Sequence, residues 1–133
     1  MYPISGRFPL TINGGNNMLE KKIIELLAKS WGFAPEALYV MKNGVLWLSK
    51  ALQSRLAYEK NQLIESNGRV CVGISRKDAW ALRPLMEERY PELLVDRPLI
   101  IDGEPTDKKE HNKFMDRYMN LFYNSIRETL YQF

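Results

Sequence analysis

The chain has 133 residues, of which 45% are hydrophobic and 26% charged, with a net charge of +3 and a pI of about 9.0. This is the composition of an ordinary globular domain, and it excludes extensive disorder. A single cysteine excludes an intrachain disulfide, and no apolar run reaches the ~20 residues that span a bilayer. We therefore expect a soluble intracellular protein, located in the cytoplasm, without a signal peptide or membrane association.

The first part of the chain alternates between strand-like and helix-like segments. Residues 8–12 favour a short strand, and residues 18–30 show the helical spacing of apolar side chains. Two strand-like runs then flank an Asn-Gly dipeptide at position 43, which is typical of a type I′ turn. They predict a β-hairpin that runs from Leu38 to Ser49.

The second part of the chain is mainly helical. Ser49 and Ser75 each precede a helix-like segment as a capping residue, and Pro84 interrupts the second of these segments. The predicted elements, in chain order, are a helix to about residue 66, a strand over 69–74, a helix broken near residue 83, one or two strands over 93–95 and 98–101, a turn over 102–106, and a helix over 107–131.

Together these elements predict an α+β fold in the order β-α-ββ-α-β-α-β-α. We expect a small, mostly antiparallel sheet with the hairpin at its centre, packed by helices and by a long C-terminal helix. The sequence contains no internal repeat, low-complexity tract or long linker. We therefore predict a single compact domain over residues 1–133.

Charge is distributed unevenly along the sequence. Residues 42–77 carry seven basic and two acidic residues, a net charge of +5, whereas residues 78–104 carry three basic and seven acidic residues, a net charge of −4. A basic segment of this kind favours an anionic partner such as nucleic acid.

The helix that follows the hairpin carries polar side chains suited to nucleic acid on the side away from its leucines. Arginine and lysine bind phosphates, glutamine reads base edges, and tyrosine stacks on bases. The candidate nucleic-acid-binding residues are Lys42, Lys50, Arg55, Tyr58, Lys60, Gln62, Arg76 and Lys77. They predict a small basic nucleic-acid-binding accessory or regulatory protein without catalytic activity, with DNA or RNA and single or double strand left open.

A protein-interaction or assembly module is the alternative function. The last helix carries apolar residues on more than one stripe, so it must be covered on two sides, either within the domain or by a second copy. A homodimer would use residues such as Phe114, Tyr118, Phe122 and Ile126.

A metal-dependent enzyme acting on a phosphate-containing substrate is the further alternative. Its carboxylates would be Asp102, Glu104 and Asp107, which follow an apolar strand but equally suit an ordinary turn. Cys71 and His111 could form a nucleophilic pair, although a cysteine within a strand is usually inert packing. We predict no catalytic residue, no metal site and no cofactor.

Overall fold

The computed structural model describes residues 8–10, 18–43, 45–69, 72–95 and 97–132. Helices account for most of these residues, and the strands are short. The strands are β1 (Phe8–Leu10), β2 (Tyr39–Lys42), β3 (Val45–Leu48), β4 (Ile100–Ile101) and β5 (Glu104–Pro105). The helices are α1 (Met18–Ser30), α2 (Lys50–Glu65), α3 (Arg76–Ala81), α4 (Arg83–Arg89) and α5 (Lys108–Tyr131), with 3₁₀ turns at Pro35–Ala37 and Pro91–Leu94.

Contacts divide the described residues into two compact units. Unit 1 takes the residues up to Ile74 and those from Ser125 onward, and unit 2 runs from Ser75 to Asn124. The fold class is α+β, as predicted, with small antiparallel sheets and a long C-terminal helix. A single domain over residues 1–133 stays a prediction. No helix in the described part of the chain is long and apolar enough to cross a membrane.

The sheet of unit 1 contains the predicted hairpin. Its three strands lie in the order β1-β3-β2 and are all antiparallel, with Lys42 of β2 opposite Val45 of β3 across a two-residue connection. Asn43 has a φ of 53°, a left-handed conformation that asparagine adopts more readily than most residues. Gly44 and residues 11–12 of the predicted first strand lie outside the described residues. This pairing confirms the predicted hairpin. The prediction succeeds because the turn and the strand pattern are both encoded in neighbouring residues.

Helices α1 and α2 begin and end close to where the sequence predicts. Ser49 Oγ accepts a hydrogen bond from the Leu52 backbone N–H at 3.2 Å, which caps the first turn of α2. Helix α1 ends at Ser30; two residues on, Gly32 has a φ of 84°, and the Phe33 N–H donates to the Ala28 carbonyl at 2.8 Å. This is a Schellman motif, which satisfies carbonyls that the end of a helix leaves without partners.

The break near Pro84 is confirmed. Leu82 separates α3 from α4, and Pro84 stands in the first turn of α4, where its missing N–H costs no helical hydrogen bond. Of the strands predicted over 93–95 and 98–101, only the second forms, as β4. The first is a 3₁₀ turn, in which the Leu93 N–H donates to the Tyr90 carbonyl at 3.0 Å.

The strand predicted over residues 69–74 does not form at the positions described there, and Val70 and Cys71 lie outside the described residues. The Ile74 N–H donates to the Val72 carbonyl at 2.9 Å. A hydrogen bond over such a short span closes a tight turn, which is incompatible with an extended strand. Residues 72–74 therefore belong to an irregular connection.

Helix α5 has 24 residues, and six of its apolar side chains are buried, those of Phe114, Tyr118, Met119, Phe122, Ile126 and Leu130. The four residues predicted to form a dimer surface are all buried within the chain. They are Phe114, Tyr118, Phe122 and Ile126. A second copy has no access to these side chains, because the chain itself already covers them; a homo-oligomer stays a prediction that needs another surface.

Candidate functional site

A cleft of about 310 Å³ in unit 1 brings together three of the predicted nucleic-acid-binding residues, Arg55, Tyr58 and Gln62. They lie three and four residues apart on α2, so the helix places them in a row. The other six residues that line the cleft are not among the predicted site residues. These are Glu59, Leu63, Ser66, Arg69, Val72 and Leu130.

Arg55 is held in this cleft from three directions. Its guanidinium carbon lies 5.2 Å from the ring centroid of Trp31 and 5.3 Å from that of Tyr58. Its Nη2 contacts Glu59 Oε1 at 2.8 Å, one turn along the helix. A cation that rests on two aromatic rings and pairs with a carboxylate is fixed in orientation. Arg55 therefore forms an ordered wall of the cleft, and part of its charge is compensated.

Tyr58 and Gln62 are two exposed side chains of the cleft. Tyr58 is 52% exposed although its ring is large and mainly apolar, and Gln62 is exposed one turn further on. An accessible ring can stack on a base, and an amide can donate to and accept from a base edge. The two residues thus offer stacking and hydrogen bonding side by side.

The turn that follows α2 places Arg69 in the lining of the cleft. Asn67 and Gly68 both have positive φ, 56° and 83°, and the Gly68 N–H donates to the Leu63 carbonyl at 2.9 Å. The Arg69 N–H then donates to the Ser66 carbonyl at 3.2 Å. Because the chain reverses here, exposed Arg69 lines the cleft. The Ser-Asn-Gly sequence before Arg69 was the available signal for this turn.

Glu59 is the acidic residue of the cleft. Its side chain is only 14% exposed, and its Oε1 pairs with Arg55. The spacing of four residues between the two is a signal for a helical ion pair that the sequence alone offered. Its position inside a cleft with Tyr58 and Gln62 depends on the tertiary structure.

The other predicted nucleic-acid-binding residues do not line this cleft. Lys42 ends β2 and Lys50 begins α2, and both are exposed. Lys60 lies on the other side of the buried leucine stripe, where its Nζ is 5.9 Å from the ring centroid of Tyr131. Arg76 and Lys77 are exposed residues of unit 2, and Arg76 Nη2 lies 3.8 Å from Asp116 Oδ1.

The carboxylates considered for a metal have other positions and roles. Asp107 Oδ1 accepts hydrogen bonds from the Lys109 and Glu110 backbone N–H groups at 3.0 and 3.2 Å, so it caps α5. Asp102 occupies the turn between β4 and β5 with a φ of 53°. Within the described ranges, no three carboxylate, histidine or cysteine side chains are grouped as a metal site requires. Cys71, the other member of the considered Cys71–His111 pair, lies outside those ranges.

A second cleft, of about 450 Å³, lies in unit 2. Its charged lining contains three basic and two acidic side chains, which are Arg97, Lys113, Arg117, Asp107 and Glu110. Arg97 is already paired with Glu87, and Lys113 Nζ lies 3.5 Å from Glu110 Oε1. Charges in this cleft are therefore largely compensated by the chain itself.

An exposed apolar ribbon is the other notable surface of unit 2. β4 pairs with β5 through a two-residue turn, with Ile100 opposite Pro105 and Ile101 opposite Glu104. Leu99, Ile100 and Ile101 are 64%, 46% and 54% exposed. Large aliphatic side chains are seldom left in water in consecutive positions, so this ribbon is a candidate protein-contact surface.

Comparison with known protein families, with curated proteins and with solved structures finds no match to this chain.

Proposed function

We propose that this protein is a non-catalytic nucleic-acid-binding accessory or regulatory protein, and that unit 1 binds a single strand. The proposal is carried by the cleft that half-exposed Tyr58 lines together with Arg55, Gln62 and Arg69. Stacking, base-edge hydrogen bonding and phosphate contact are the three interactions by which proteins hold single strands. The same proposal places the protein in the cytoplasm.

The charge of the two units supports a polyanionic partner for unit 1. Residues 1–74 and 125–133 contain ten basic and six acidic residues, a net charge of +4. Residues 75–124 contain nine basic and ten acidic residues, a net charge of −1. Exposed Lys42 and Lys50 add to the positive potential of unit 1, which attracts phosphates and speeds association.

The size of the cleft favours a single strand over a duplex. A volume of about 310 Å³ is at the lower end of the range for ligand sites and suits one base with its sugar. In a duplex, the faces of the bases are stacked on each other and are not available to Tyr58. A base in a single strand can leave its stack at a small cost and enter the cleft.

Fluorescence anisotropy with labelled single-stranded and duplex DNA and RNA tests the proposal. With about three or four phosphate contacts, binding to a single strand should weaken with salt along a log–log slope of roughly −2 to −3. We expect single strands to bind more tightly than duplexes of the same length. Absence of binding to every polymer at low salt would reject the proposal.

Variants of Tyr58 separate stacking from general attraction. Tyr58→Ala should lower the affinity for a single strand by about 5- to 150-fold, the loss expected for one stacked base. Ile64→Ala is the matched control, because Ile64 is 54% exposed on the same helix but does not line the cleft. Equal losses in the two variants would contradict a role for the cleft.

Two variants with the same change in net charge distinguish the contribution of the cleft to binding from that of the overall charge. Arg69→Glu and Lys109→Glu each lower the net charge by two, but only Arg69 lines the cleft. Lys109 is exposed in the first turn of α5, where a negative charge is compatible with the helix dipole. We expect Arg69→Glu to weaken binding and to make the salt slope shallower by about one phosphate contact, whereas Lys109→Glu should change neither.

Protein assembly is the second candidate function, and the apolar ribbon of unit 2 favours it. In the β4–β5 pair, the Thr106 N–H donates to the Leu99 carbonyl at 3.1 Å. Antiparallel hydrogen bonding alternates along the strand, so the N–H and C=O of Ile100 point away from β5. Pro105 lacks an N–H and blunts the outer edge of β5. The edge of β4 therefore remains able to pair with a strand of a second copy.

A further inference from the structure

Glu59 is an unfavourable residue for a cleft that would bind only phosphates. A carboxylate repels an anion, and at 14% exposure it is also partly removed from water. An ion pair between residues four apart is common on helices and needs no ligand. What distinguishes Glu59 is that it lines the same cleft as Tyr58 and Gln62.

The carboxylate of Glu59 favours ligands that donate hydrogen bonds. An ionised carboxylate is an acceptor only, with two oxygens and about four lone-pair positions. Arg55 occupies one position on Oε1, and its guanidinium lies over the rings of Trp31 and Tyr58. The remaining positions can accept hydrogen bonds from N–H groups of a ligand stacked near Tyr58. Among the parts of a nucleotide, only the base offers several such donors.

We propose that Glu59 makes this cleft selective for guanine, an inference that rests on the proposed binding of single strands by unit 1. Guanine carries the N1–H and the N2 amino group side by side on one edge, which matches the two oxygens of a carboxylate. Uracil and thymine offer one ring N–H, flanked on both sides by carbonyls that a carboxylate repels. Adenine and cytosine offer an amino group beside an acceptor nitrogen. Guanine is therefore the base whose edge Glu59 complements best.

Uridine hexamers with one central substitution provide the test, used as competitors in fluorescence anisotropy with the full chain. The central base is guanine, hypoxanthine, adenine or uracil, and the series is repeated in deoxyribose form. Hypoxanthine is the matched control because it differs from guanine only by the missing N2 amino group. We expect guanine to bind about 5- to 150-fold more tightly than uracil, with hypoxanthine between them.

Glu59→Gln tests the assignment to the residue. The amide has one acceptor oxygen and adds donors, so the preference for guanine should disappear while binding of the all-uracil hexamer is kept or strengthened. Glu65→Gln is the control, since Glu65 is exposed on α2 and does not line the cleft. It should keep the preference for guanine.

The outcomes separate this inference from the function on which it rests. Binding of all four hexamers with equal affinity by the unaltered protein would overturn the selectivity and leave single-strand binding in place. A preference for guanine that survives Glu59→Gln would overturn the role of Glu59. Absence of binding to every hexamer would overturn the proposed function and the inference together. The series on the unaltered protein decides the selectivity even if a variant fails to fold.

Discussion

Tyr118 shows how a single residue of unit 2 combines burial with one specific polar contact. Its hydroxyl donates to the Ala79 carbonyl, and its ring lies 4.8 Å from the Trp80 ring at 75° and 6.3 Å from the Phe122 ring at 14°. Burial raises the pKa of this hydroxyl above the usual value for tyrosine, and Arg83 opposes the shift only in part. The residue is thus a structural anchor of α5 against α3.

Tyr118→Phe tests this anchor, because the stability lost in the variant should depend on pH. Near pH 8 the loss of the hydrogen bond should lower the free energy of unfolding by roughly 0.5–1.5 kcal/mol. Above about pH 10, Tyr118 ionises in the unfolded chain but keeps its proton when folded. The unfolded state then binds fewer protons, so the original protein loses up to about 1.4 kcal/mol per pH unit that the variant does not lose. Urea unfolding at several pH values should show that the difference in free energy of unfolding between the original protein and the variant shrinks as the pH rises above 10.

The control for this prediction is Phe122→Leu, which removes buried volume next to Tyr118 without removing a titrating group. Its deficit should stay constant between pH 8 and pH 10.5. If the stability lost in Tyr118→Phe also stays constant with pH, the pKa of Tyr118 is not raised in the folded protein.

The residues that the sequence could not place are those whose role depends on distant neighbours. Spacing on α2 was enough to align Arg55, Tyr58 and Gln62. It could not show that Trp31, 24 positions before Arg55, lies under its guanidinium. Nor could the apolar pattern of α5 show whether the chain or a second copy covers Phe122. Periodicity identifies an apolar face but not what packs on it.

At the scale of elements, the helix ends of unit 1 depend on left-handed residues. Gly68 has a φ of 83° and donates its N–H back to Leu63, which ends α2 and turns the chain toward Arg69. Gly68→Ala should therefore lower the free energy of unfolding by roughly 1–2 kcal/mol, because a Cβ is unfavourable in this conformation. Chemical denaturation measures the change.

Gly73→Ala is the matched control for Gly68→Ala. Gly73 has no positive φ that would strain alanine, and a Cβ there meets nothing within 4 Å. Alanine at this position should leave stability unchanged or raise it by about 0.4–1 kcal/mol, because it restricts the unfolded chain. Equal losses in both variants would mean that the left-handed turn does not set the end of α2.

Elements with local signals were predictable, and those without were not. Ser49, the Asn-Gly turn and Pro84 each fix backbone geometry within a few residues, and the hairpin, the start of α2 and the break before α4 follow from them. The strand predicted over 69–74 had only alternating apolar residues in its favour. A strand needs a partner, and alternation cannot show that a neighbour is available.

At the scale of the whole molecule, the two units present different surfaces. Unit 1 carries the net positive charge and the cleft, whereas unit 2 is close to neutral and carries the apolar ribbon. Net charge was readable from the sequence. The exposure of Ile100 and Ile101 was not, because the same apolar run is typical of a buried strand.

We predict that the protein self-associates through β4. Two copies can pair their β4 edges in antiparallel fashion, because the outward N–H and C=O of Ile100 can bond to those of Ile100 in the second copy. Sedimentation velocity over a range of concentrations should then show a weak dimer, since only a few hydrogen bonds and three aliphatic side chains contribute on each side. Ile100→Lys should keep the protein monomeric, because lysine on an edge strand opposes pairing.

Val40→Lys is the control for that prediction, since Val40 is an exposed aliphatic residue of β2 in the other sheet. The same substitution there should leave the dimer intact. If Val40→Lys abolished self-association and Ile100→Lys did not, the contact would lie in unit 1 and the ribbon would be only an exposed surface. If the unaltered protein remained monomeric at all concentrations, assembly through β4 would be rejected, and the proposal for the cleft in unit 1 would be unaffected.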